Sequence, residues 1–333
     1  MKVTVFGSGT WGTALAQVLT DNGHKVLIYG IEESQVDDIN NNHMNSYFFG
    51  ENVHLNENIK ATTDIKKAIN FSNIYVLSVP TAAMRSLLNE INAHLDHRAL
   101  FINTAKGFDT QEVMRISDVI RNTIDEKNLR AVVSLIGPSH AEEVVVRMVT
   151  AVTATSKDKR AAEKVQKLFS NQYFRVYTQT DEIGAELGVA YKNAIAIASG
   201  ILAGLGYGDN ARAALITRGL AEMVRFSTHF GGKMQTYLGL TGLGDLIVTC
   251  NSIHSRNFQA GLAIGRENNA ENFIKNNKKT VEGIRTTKII YEVAKANNID
   301  VPIINAIYKV LYENVSPREA IVILMDRPLK PEH

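Results

Sequence analysis

The chain has 333 residues, a formal net charge of +2, 45% hydrophobic residues and 21% charged residues. This composition excludes a disordered protein, and the length favours two folded domains. The near-neutral charge, without a long block of like charges, predicts that the protein does not bind nucleic acid. The single cysteine, Cys250, excludes an internal disulfide and a cysteine-rich zinc site, so we expect no bound metal and a reducing, cytoplasmic location.

The N-terminus gives no sign of a targeting segment. The chain opens with the strand-like run Lys2–Phe6 and lacks the basic region, long apolar segment and cleavage site of a signal peptide. Its longest apolar stretches are interrupted by polar groups and are shorter than the roughly 20 residues that a membrane span requires. We therefore expect a soluble protein without a membrane span.

The first half of the chain alternates short β-branched runs with segments of helical period, a pattern typical of a mostly parallel sheet with crossover helices. The predicted strands are Val3–Phe6, Lys25–Tyr29, Ile74–Val79, Ala99–Asn103, Ala131–Ile136, Thr150–Ala154 and Phe174–Tyr177. The helices between them are predicted to begin near Trp11, Asp64, Thr81 and Asp158. Gly23 is expected to end the first helix, because glycine accepts the left-handed backbone conformation.

A glycine-rich turn follows the first predicted strand and opens the first predicted helix. Its pattern is G-x-G-x-x-G, with glycines at Gly7, Gly9 and Gly12. Gly7 permits the tight turn, Gly9 lets the backbone approach a pyrophosphate, and Gly12 lets the helix pack on the strand. A turn without a ligand is the alternative, but the strand, turn and helix in succession favour a dinucleotide site.

The end of the second predicted strand bears on the choice of cofactor. A dinucleotide site carries at this point either an acid for the adenosine ribose or a basic group for a 2′-phosphate. The chain reads Tyr29-Gly30-Ile31-Glu32-Glu33, without a basic residue, and its two acids also suit the start of a solvated helix. The choice between NAD and NADP therefore stays open.

Two further strand ends carry polar groups. Lys106 follows the predicted strand Ala99–Asn103, and the carboxyl ends of such strands line the ligand crevice. An ordinary surface lysine is the alternative. Another strand breaks at Gly137, after which Ser139 is predicted to cap a helix together with Glu142 three residues later. A capped helix without a ligand competes with a binding role for this segment.

From about residue 180 the strand signal fades and long helical patterns follow. We therefore predict a dinucleotide-binding Rossmann domain over residues 1–180 and an all-α substrate-binding and catalytic domain over residues 181–333. The segment Asn268–Lys279 is predicted to be a polar loop or a solvated helix face. The helices predicted in this half are Glu182–Leu205, Arg212–His229, Asn257–Gly265, Val281–Asn297 and Val301–Tyr312.

Three segments of the helical half place charged groups among apolar residues. Lys192 lies in a run of small and apolar residues, and an amine in such a setting suits proton transfer, although its head could also reach water. Asp245 follows two glycines and precedes an apolar helix, where it could be only an N-cap. Ser255, Arg256 and Asn257 present hydroxyl, guanidinium and amide donors at a helix start, a combination that suits a phosphate.

Taken together, these segments closely resemble the bacterial NAD(P)-dependent glycerol-3-phosphate dehydrogenases. The resemblance implies reversible reduction of dihydroxyacetone phosphate to sn-glycerol 3-phosphate, which supplies glycerophospholipid synthesis, in the cleft between a Rossmann domain and a helical domain of a homodimer. It runs through nearly the whole chain in the segments GSGTWGTALA, NTAKG, GPSHAEE, AYKN, GYGDNARAALITRGLAEM, GLGDLIVTC, HSRN and VEGIRTT.

The resemblance also assigns roles to individual residues. It implies that Lys192 is the proton donor and acceptor, that Lys106 contacts both substrate and cofactor, and that Asp245 contacts the substrate. For the mechanism we expect Asp245 also to orient the ammonium of Lys192. The other substrate contacts that it implies are Gly137, Ser139, Ser255, Arg256 and Asn257. The other cofactor contacts that it implies are Thr10, Trp11, Ala141, Arg256 and Glu282.

Three positions depart from the pattern of the family. Ile31 stands where members often carry a basic residue or histidine, and Thr280 stands where an aliphatic residue precedes the Glu282 contact. Both positions lie on the cofactor side and leave the preference between NADPH and NADH undecided. Tyr191 stands where a small residue commonly precedes the catalytic lysine, and the sequence offers no interpretation of this change.

Two other functions remain as alternatives at this point. A different Rossmann-plus-helical dehydrogenase, such as a hydroxyacid or opine enzyme, would bind a carboxylate and would not require a phosphate anchor. A redox-sensing protein would bind NAD(H) without turnover. The combination of Lys106, Lys192, Asp245 and Arg256 favours the enzyme, because a sensor has no need of an acid–base lysine.

Overall fold

The computed structural model describes residues 1–109, 114–277 and 280–332. Within these residues the chain divides into two compact units, Met1–Glu182 and Ile183–His333. We refer to them as unit 1 and unit 2 and describe each by itself.

Unit 1 is built on an eight-stranded sheet. Its strands are β1 (Lys2–Phe6), β2 (Lys25–Tyr29), β3 (Ile59–Thr62), β4 (Ile74–Leu77), β5 (Ala99–Asn103), β6 (Leu129–Ile136), β7 (Thr150–Thr155) and β8 (Phe174–Gln179). The strand order is β3-β2-β1-β4-β5-β6-β7-β8, and all neighbouring pairs are parallel except β6 and β7, which are antiparallel. The first six strands have the order typical of dinucleotide-binding domains.

Helices connect the strands of unit 1. They are α1 (Thr10–Asp21), α2 (Glu33–Asp37), α3 (Ser46–Phe49), α4 (Ile65–Phe71), α5 (Thr81–His94), α6 (Ile116–Thr123), α7 (Ala141–Val145) and α8 (Lys159–Phe169), with a π-helical turn at Asp38–Asn42. The central strands are buried on both faces, as in β4, where Val76 joins one apolar core and Tyr75 and Leu77 join another. Alternation of side chains across the sheet thus explains why these strands read as continuous apolar runs.

Unit 2 contains only helices among its described residues. They are α9 (Glu182–Gly204), which begins at the last residue of unit 1, α10 (Asp209–His229), α11 (Met234–Tyr237), α12 (Asp245–Asn251), α13 (Arg256–Glu267), α14 (Glu271–Asn276), α15 (Glu282–Ala296), α16 (Pro302–Tyr312) and α17 (Pro317–Met325). A π-helical turn at Leu240–Gly244 precedes α12. The fold class predicted from the sequence, a Rossmann-like domain followed by an all-α domain, is confirmed.

Several local predictions need correction. The sequence does not predict β3, α3, α6, α11 or α17, and the strand predicted to extend to Val79 ends at Leu77. Gly23 does adopt a left-handed conformation, with φ +75°, after α1. For the segment Asn268–Lys279, the sequence predicts a polar loop or a solvated helix face. The helix is found, since α14 occupies part of the segment and has no buried residue. Positions 278 and 279 lie outside the described residues.

One helix bears on the prediction that there is no membrane span. Among the described residues, α9 alone is long and apolar enough to cross a membrane, and 83% of its most apolar window is buried inside the structure. Core helices pass the same test of length and composition, so this is weak evidence for a span.

Candidate active site

The glycine-rich turn of unit 1 requires glycine at two of its three glycine positions. Gly7 has φ +116°, and a Cβ there would lie 2.5 Å from the carbonyl oxygen of Ser78 at the end of β4. A Cβ at Gly12 would lie 2.0 Å from the carbonyl oxygen of Gly7. The Gly7 N–H donates to the carbonyl of Tyr29 at 2.8 Å, which ties the turn to β2. The turn is therefore pressed between the ends of β2 and β4.

The start of α1 offers open backbone donors above this turn. Gly9 is the N-cap, no side chain caps the first turn, and the first turn carries no acid. A Cβ built at Gly9 would meet no atom within 4 Å. A cradle of this kind fits the pyrophosphate of a dinucleotide, because uncapped N–H groups at a helix start bind anions. Thr10 and Trp11, the predicted cofactor contacts, are the first two residues of α1.

Lys106 lies close to the other predicted polar groups of unit 1. Its ammonium donates to the carbonyl oxygen of Gly137 at 2.6 Å, and the Ser139 hydroxyl donates to the same oxygen at 3.1 Å. The turn that carries Lys106 is held by Asn103, whose side-chain oxygen accepts the Ala105 N–H at 3.0 Å. The ends of β5 and β6 thus bring Lys106, Gly137 and Ser139 together.

The predicted capping role of Ser139 is wrong. α7 begins at Ala141 with His140 at the N-cap position and has no side-chain cap. Because the Ser139 hydroxyl turns back to Gly137, it does not reach the helix. Ala141, a predicted cofactor contact, is buried at the start of α7. Ile31, predicted on the cofactor side, follows β2 and is 78% exposed.

Lys192 of α9 is the centre of a buried polar group in unit 2. Its Nζ donates to Oδ1 of Asp245 at 2.7 Å and to Oγ1 of Thr249 at 2.6 Å. The side chains of Lys192 and Asp245 are 5% and 1% exposed, so the alternative that the lysine head reaches water is wrong. A buried ion pair of this kind costs desolvation energy, which is a reason to consider a functional role.

The π-helical turn at Leu240–Gly244 delivers Asp245 to this position. Asp245 is the first residue of α12, and Gly244 is the N-cap, so the alternative that Asp245 serves as an N-cap is wrong. One turn later, the Thr249 hydroxyl donates to the Asp245 carbonyl at 2.6 Å and keeps an oxygen lone pair for Lys192. Cys250, the next residue, is fully buried, and burial raises the pKa of its thiol to about 12.

The start of α13 carries the three donors predicted to bind phosphate. Ser255 is the N-cap, and its oxygen accepts the Phe258 N–H at 3.2 Å. Arg256 is exposed and forms no ion pair or hydrogen bond with any part of the chain that the structure describes. The guanidinium is thus available to an anion at a helix start, where an anion is favoured.

Asn257 has a different environment from Arg256. It is buried, its amide donates to Oδ1 of Asn193 at 3.1 Å, and its own oxygen accepts the Gly283 N–H at 2.9 Å. Asn193 follows Lys192 on α9, and its amide also approaches Oε2 of Glu282 at 3.5 Å. These bonds join the starts of α13 and α15 to the Lys192 segment of α9. Thr280 is exposed shortly before α15.

Four glycines allow α9 and α13 to touch backbone to backbone. A Cβ at Gly261 would lie 2.0 Å from the carbonyl oxygen of Ile197, and one at Gly265 would lie 2.4 Å from that of Ile201. On α9, Gly200 and Gly204 are equally close to the α13 backbone. Since residue numbers rise together along both helices, they run in the same direction. The start of α13 therefore lies beside the segment of α9 that contains Lys192.

Tyr191, which the sequence left without an interpretation, is part of a second buried polar group. Its hydroxyl donates to Oε1 of Glu222 on α10 at 2.9 Å. Glu222 also accepts the N–H groups of Ile303 and Ile304 at 2.8 and 3.0 Å, and so caps α16. Burial raises the pKa of Glu222 to about 7. Burial and Glu222 raise the pKa of Tyr191 well above its usual value, so the phenol stays a donor.

Sequence reasoning missed three residues of this region: Thr249, Asn193 and Glu222. Thr249 lies four residues after Asp245, so helical spacing places both on one face of α12 and could have found it. Asn193 adjoins Lys192, and a buried amide in an apolar run is a comparable signal. Glu222 gave no signal, because its partners come from distant segments. No metal-binding group of three or more His, Cys, Asp or Glu occurs in the described ranges.

A glycine cradle for a dinucleotide in one unit and a buried lysine–aspartate pair in the other define an NAD(P)-dependent oxidoreductase. The family model described as the N-terminus of NAD-dependent glycerol-3-phosphate dehydrogenase matches residues 2–162, and that of the C-terminus matches residues 181–322. The chain belongs to the NAD(P)-dependent glycerol-3-phosphate dehydrogenase family, as its sequence predicted.

Full-length relatives agree with this assignment. The chain is 48% identical over 331 residues to glycerol-3-phosphate dehydrogenase [NAD(P)+] of Staphylococcus haemolyticus, with 99% of each chain covered. The crystal structure of glycerol-3-phosphate dehydrogenase from Coxiella burnetii is 33% identical, with a TM-score of 0.90 over 98% of this chain and 99% of that chain. The Saccharomyces cerevisiae enzyme is 26% identical, with a TM-score of 0.85 over 98% and 99% of the two chains.

Proposed function

We propose that this protein catalyses the reversible reduction of dihydroxyacetone phosphate to sn-glycerol 3-phosphate, with Lys192 as proton donor and acceptor. The observation that carries the proposal is the buried ammonium of Lys192, held by Asp245 and Thr249 at 2.7 and 2.6 Å. A lysine fixed by two oxygen atoms has one remaining N–H direction for a substrate oxygen. Neither the function of a hydroxyacid enzyme nor that of a redox sensor would account for the Lys192–Asp245 pair together with Arg256.

Residues of unit 2 donate and accept the proton in this reaction. The bound nicotinamide cofactor supplies a hydride to the keto carbon during reduction. Lys192 gives a proton to the oxygen of that carbon as negative charge develops on it, and takes the proton back in the reverse direction. Asp245 and Thr249 keep the ammonium in one orientation, so that little reorganisation accompanies the transfer.

Lys106 adds a second positive charge in this proposal. It contacts both substrate and cofactor and favours the developing oxyanion. Its bond to the Gly137 carbonyl fixes the lysine, and Gly137 and Ser139 become substrate contacts on the same strand ends. The three groups lie at the carboxyl ends of β5 and β6, the edge at which sheets of this order bind ligands.

Arg256 anchors the phosphate of the substrate, with Ser255 and Asn257 as its neighbours at the start of α13. An exposed guanidinium at a helix start can bind two phosphate oxygens at once. Binding energy from this remote group positions the keto carbon for reaction. Because Asn257 is bonded to Asn193, the anchor is tied to the segment that carries Lys192.

The cofactor is held by residues of several segments. The backbone of Gly7, Gly9 and Gly12 receives the pyrophosphate, and the other contacts that we propose are Thr10, Trp11, Ile31, Lys106, Ala141, Arg256, Thr280 and Glu282. We assign a dinucleotide-binding domain to residues 1–180 and a substrate-binding and catalytic domain to residues 181–333, and each domain contributes residues to both ligands. We further propose a cytoplasmic homodimer that supplies glycerophospholipid synthesis.

Absorbance of NADH and NADPH, followed separately, tests the function. Each cofactor is mixed with dihydroxyacetone phosphate and then with unphosphorylated dihydroxyacetone. We expect rapid oxidation with the phosphate ester only. Oxidation of neither cofactor would remove the proposed activity, and equal rates with both ketones would remove the phosphate anchor.

The variant Arg256→Ala separates the anchor from the chemistry. Loss of a hydrogen-bonded charge should raise KM for dihydroxyacetone phosphate about 10- to 100-fold. The matched control is Arg266→Ala, an exposed arginine in the last turn of the same helix, which should leave KM unchanged. An unaltered KM in Arg256→Ala would argue against the anchor.

A further inference from the structure

The segment that follows β2 lies directly beside the glycine turn. A Cβ at Gly30 would meet Oγ of Ser8 at 2.5 Å, so the side chain of Ser8 packs directly on the backbone of Gly30. The parallel pairing of β1 and β2 runs to the pair Phe6 and Tyr29, which sets both loops at one edge of the sheet. A ligand group bound next to a pyrophosphate at the turn therefore contacts the residues after Gly30.

The first three side chains after Gly30 are apolar or acidic. Ile31 is 78% exposed, and Glu32 and Glu33, the N-cap and first residue of α2, are exposed as well. The sequence contains no lysine or arginine between Lys25 and Lys60. The next cations of this edge, Lys66 and Lys67, belong to α4, which follows β3, one strand further from the glycine turn.

A neutral hydrogen-bonding group lies at the same place. The Ser8 hydroxyl donates to Oε1 of Gln35 at 2.8 Å, which holds the half-buried glutamine against the glycine turn. With its oxygen engaged by Ser8, the amide N–H₂ of Gln35 remains a donor, and the carboxylates of Glu32 and Glu33 are acceptors. Such a set can bind sugar hydroxyl groups, which both donate and accept.

From these contacts we propose that the segment Ile31–Gln35 makes the protein selective for NAD(H) over NADP(H). The inference rests on the proposed function, since it takes the glycine turn as the dinucleotide site. The adenosine ribose adjoins the pyrophosphate and meets this segment, where its 2′-hydroxyl finds hydrogen-bonding partners. Within this segment a 2′-phosphate finds two carboxylates and no cation.

The selectivity follows from charge and desolvation. A phosphate monoester carries nearly two negative charges at neutral pH, and its transfer from water to a segment without a cation costs hydration that the single Gln35 amide does not replace. Like charges at contact distance add repulsion. Loss of a single charge-assisted bond changes affinity about tenfold or more, so NADH should bind at least about tenfold more tightly than NADPH.

The only tryptophan of the chain provides a direct measure of binding. Trp11 lies in the first turn of α1, beside the glycine cradle, and its emission overlaps the absorption of the reduced nicotinamide ring. NADH and NADPH carry the same ring, so quenching of Trp11 reports both dissociation constants in the same way and without turnover. Displacement of bound NADH by 5′-AMP and by adenosine 2′,5′-bisphosphate isolates the contribution of the 2′-phosphate.

The double variant Ile31→Arg, Glu32→Arg tests whether the lack of positive charge in this segment causes the preference for NADH. Two guanidinium groups should bind a 2′-phosphate and improve NADPH affinity about tenfold or more, which narrows or inverts the preference for NADH. The matched controls are Glu57→Arg, an exposed acid of the same unit with the same charge change as Glu32→Arg, and wild type at raised salt. Glu57→Arg should leave the ratio of the two constants unchanged.

The outcomes separate this inference from the proposed function. Tighter binding of NADH in the wild type, together with a gain for NADPH only in the double variant, supports the inference. Equal or tighter binding of NADPH by the wild type would overturn it while leaving the dehydrogenase intact. A gain of equal size in Glu57→Arg would overturn the assignment to this segment. Absence of quenching by either cofactor would overturn the dinucleotide site and the selectivity together.

Discussion

Two oxygen atoms hold the ammonium of Lys192 in a buried setting. Removing one partner of a buried ion pair leaves an uncompensated charge, which is more costly than the absence of the pair. The hydroxyl of Thr249 is neutral, and it can be removed without leaving a bare charge. It is therefore the better probe of whether the orientation of Lys192 matters for turnover.

The variants Lys192→Ala and Thr249→Val test this at the level of single residues. Lys192→Ala should lower kcat by about 10²- to 10⁴-fold, because a positioned acid is lost, while cofactor binding measured by Trp11 quenching is kept. Thr249→Val should lower kcat about tenfold. Thr249→Ser keeps the hydroxyl and is the control. Wild-type turnover in Lys192→Ala would refute its proposed role.

Single residues also mark the limit of sequence reasoning. Lys192 and Asp245 stand out in the sequence because charges are rare in apolar runs. That they contact each other depends on how α9 packs against α12, 53 residues apart, which no local pattern encodes. The Ser139 prediction failed for a local reason. A serine near a helix start suits a cap, but the Ser139 hydroxyl donates instead to the Gly137 carbonyl two residues earlier.

At the scale of elements, Glu222 links three helices. It lies on α10, accepts a hydrogen bond from Tyr191 on α9, and receives two N–H groups at the start of α16. Its carboxyl is 1% exposed, and burial is the main reason that its pKa is raised. A raised pKa means that the folded state favours the protonated form more than the unfolded state does.

Glu222→Gln should therefore change how stability depends on pH. The contribution of Glu222 is fully present below its unfolded pKa of 4.5 and is lost as pH rises through about 7. Relative to Glu222→Gln, the wild type should lose about 3 kcal/mol of unfolding free energy between these limits. Urea denaturation of both proteins from pH 4 to pH 8 measures the difference. Parallel curves for the two proteins would show that Glu222 does not titrate in this range.

The crossing of α9 and α13 makes a second prediction for elements. In Gly261→Ala the added methyl would meet the Ile197 carbonyl oxygen at 2.0 Å. Rotation of a side chain cannot relieve this contact, because one atom is a Cβ and the other belongs to the backbone. The helices must separate, so we expect about 1–3 kcal/mol lower stability and a raised KM for dihydroxyacetone phosphate. Gly208→Ala, with no atom within 4 Å of its Cβ, is the control. Equal stability of the two variants would contradict the close crossing.

Whole elements were predictable where a pattern was strong. β2 and β5 lie at the predicted residues, and α5 begins at the predicted Thr81. β3 was missed because its four residues are too few to display a period and follow a polar loop. α17 begins with a serine cap and a proline, a start signal, but half-exposed Val322 and Ile323 blur its apolar face.

At the scale of the whole molecule, the two units differ in how much their sequence reveals. In unit 1 the succession of strands and helices, together with right-handed crossovers, restricts the sheet to a few topologies. β7 runs antiparallel to β6, and the handedness rule, which concerns parallel strands, does not predict this pairing. In unit 2 the helices could be predicted one by one, but their packing depends on close contacts such as the glycine crossing, which are invisible in a hydropathy pattern.

The proposed homodimer is a prediction for the whole molecule. α17 exposes several large apolar side chains, with Val322 at 55% and Met325 at 77%, and adjacent exposed apolar groups are typical of protein contacts. Light scattering should give twice the mass of one chain. Val322→Asp with Met325→Asp should lower that mass to one chain, whereas Lys275→Asp on exposed α14 should not. A single-chain mass for the wild type at all concentrations would contradict the dimer.

The burial of Cys250 has a practical consequence. The only thiol of the chain is inaccessible and, with its pKa raised to about 12, stays protonated at neutral pH, so maleimide reagents should leave it unmodified. Cysteines introduced on the surface would then be the only reactive thiols, without a need to remove Cys250 first. A pair of dyes attached in this way, one on each unit, would report distances and domain motions of single molecules during turnover.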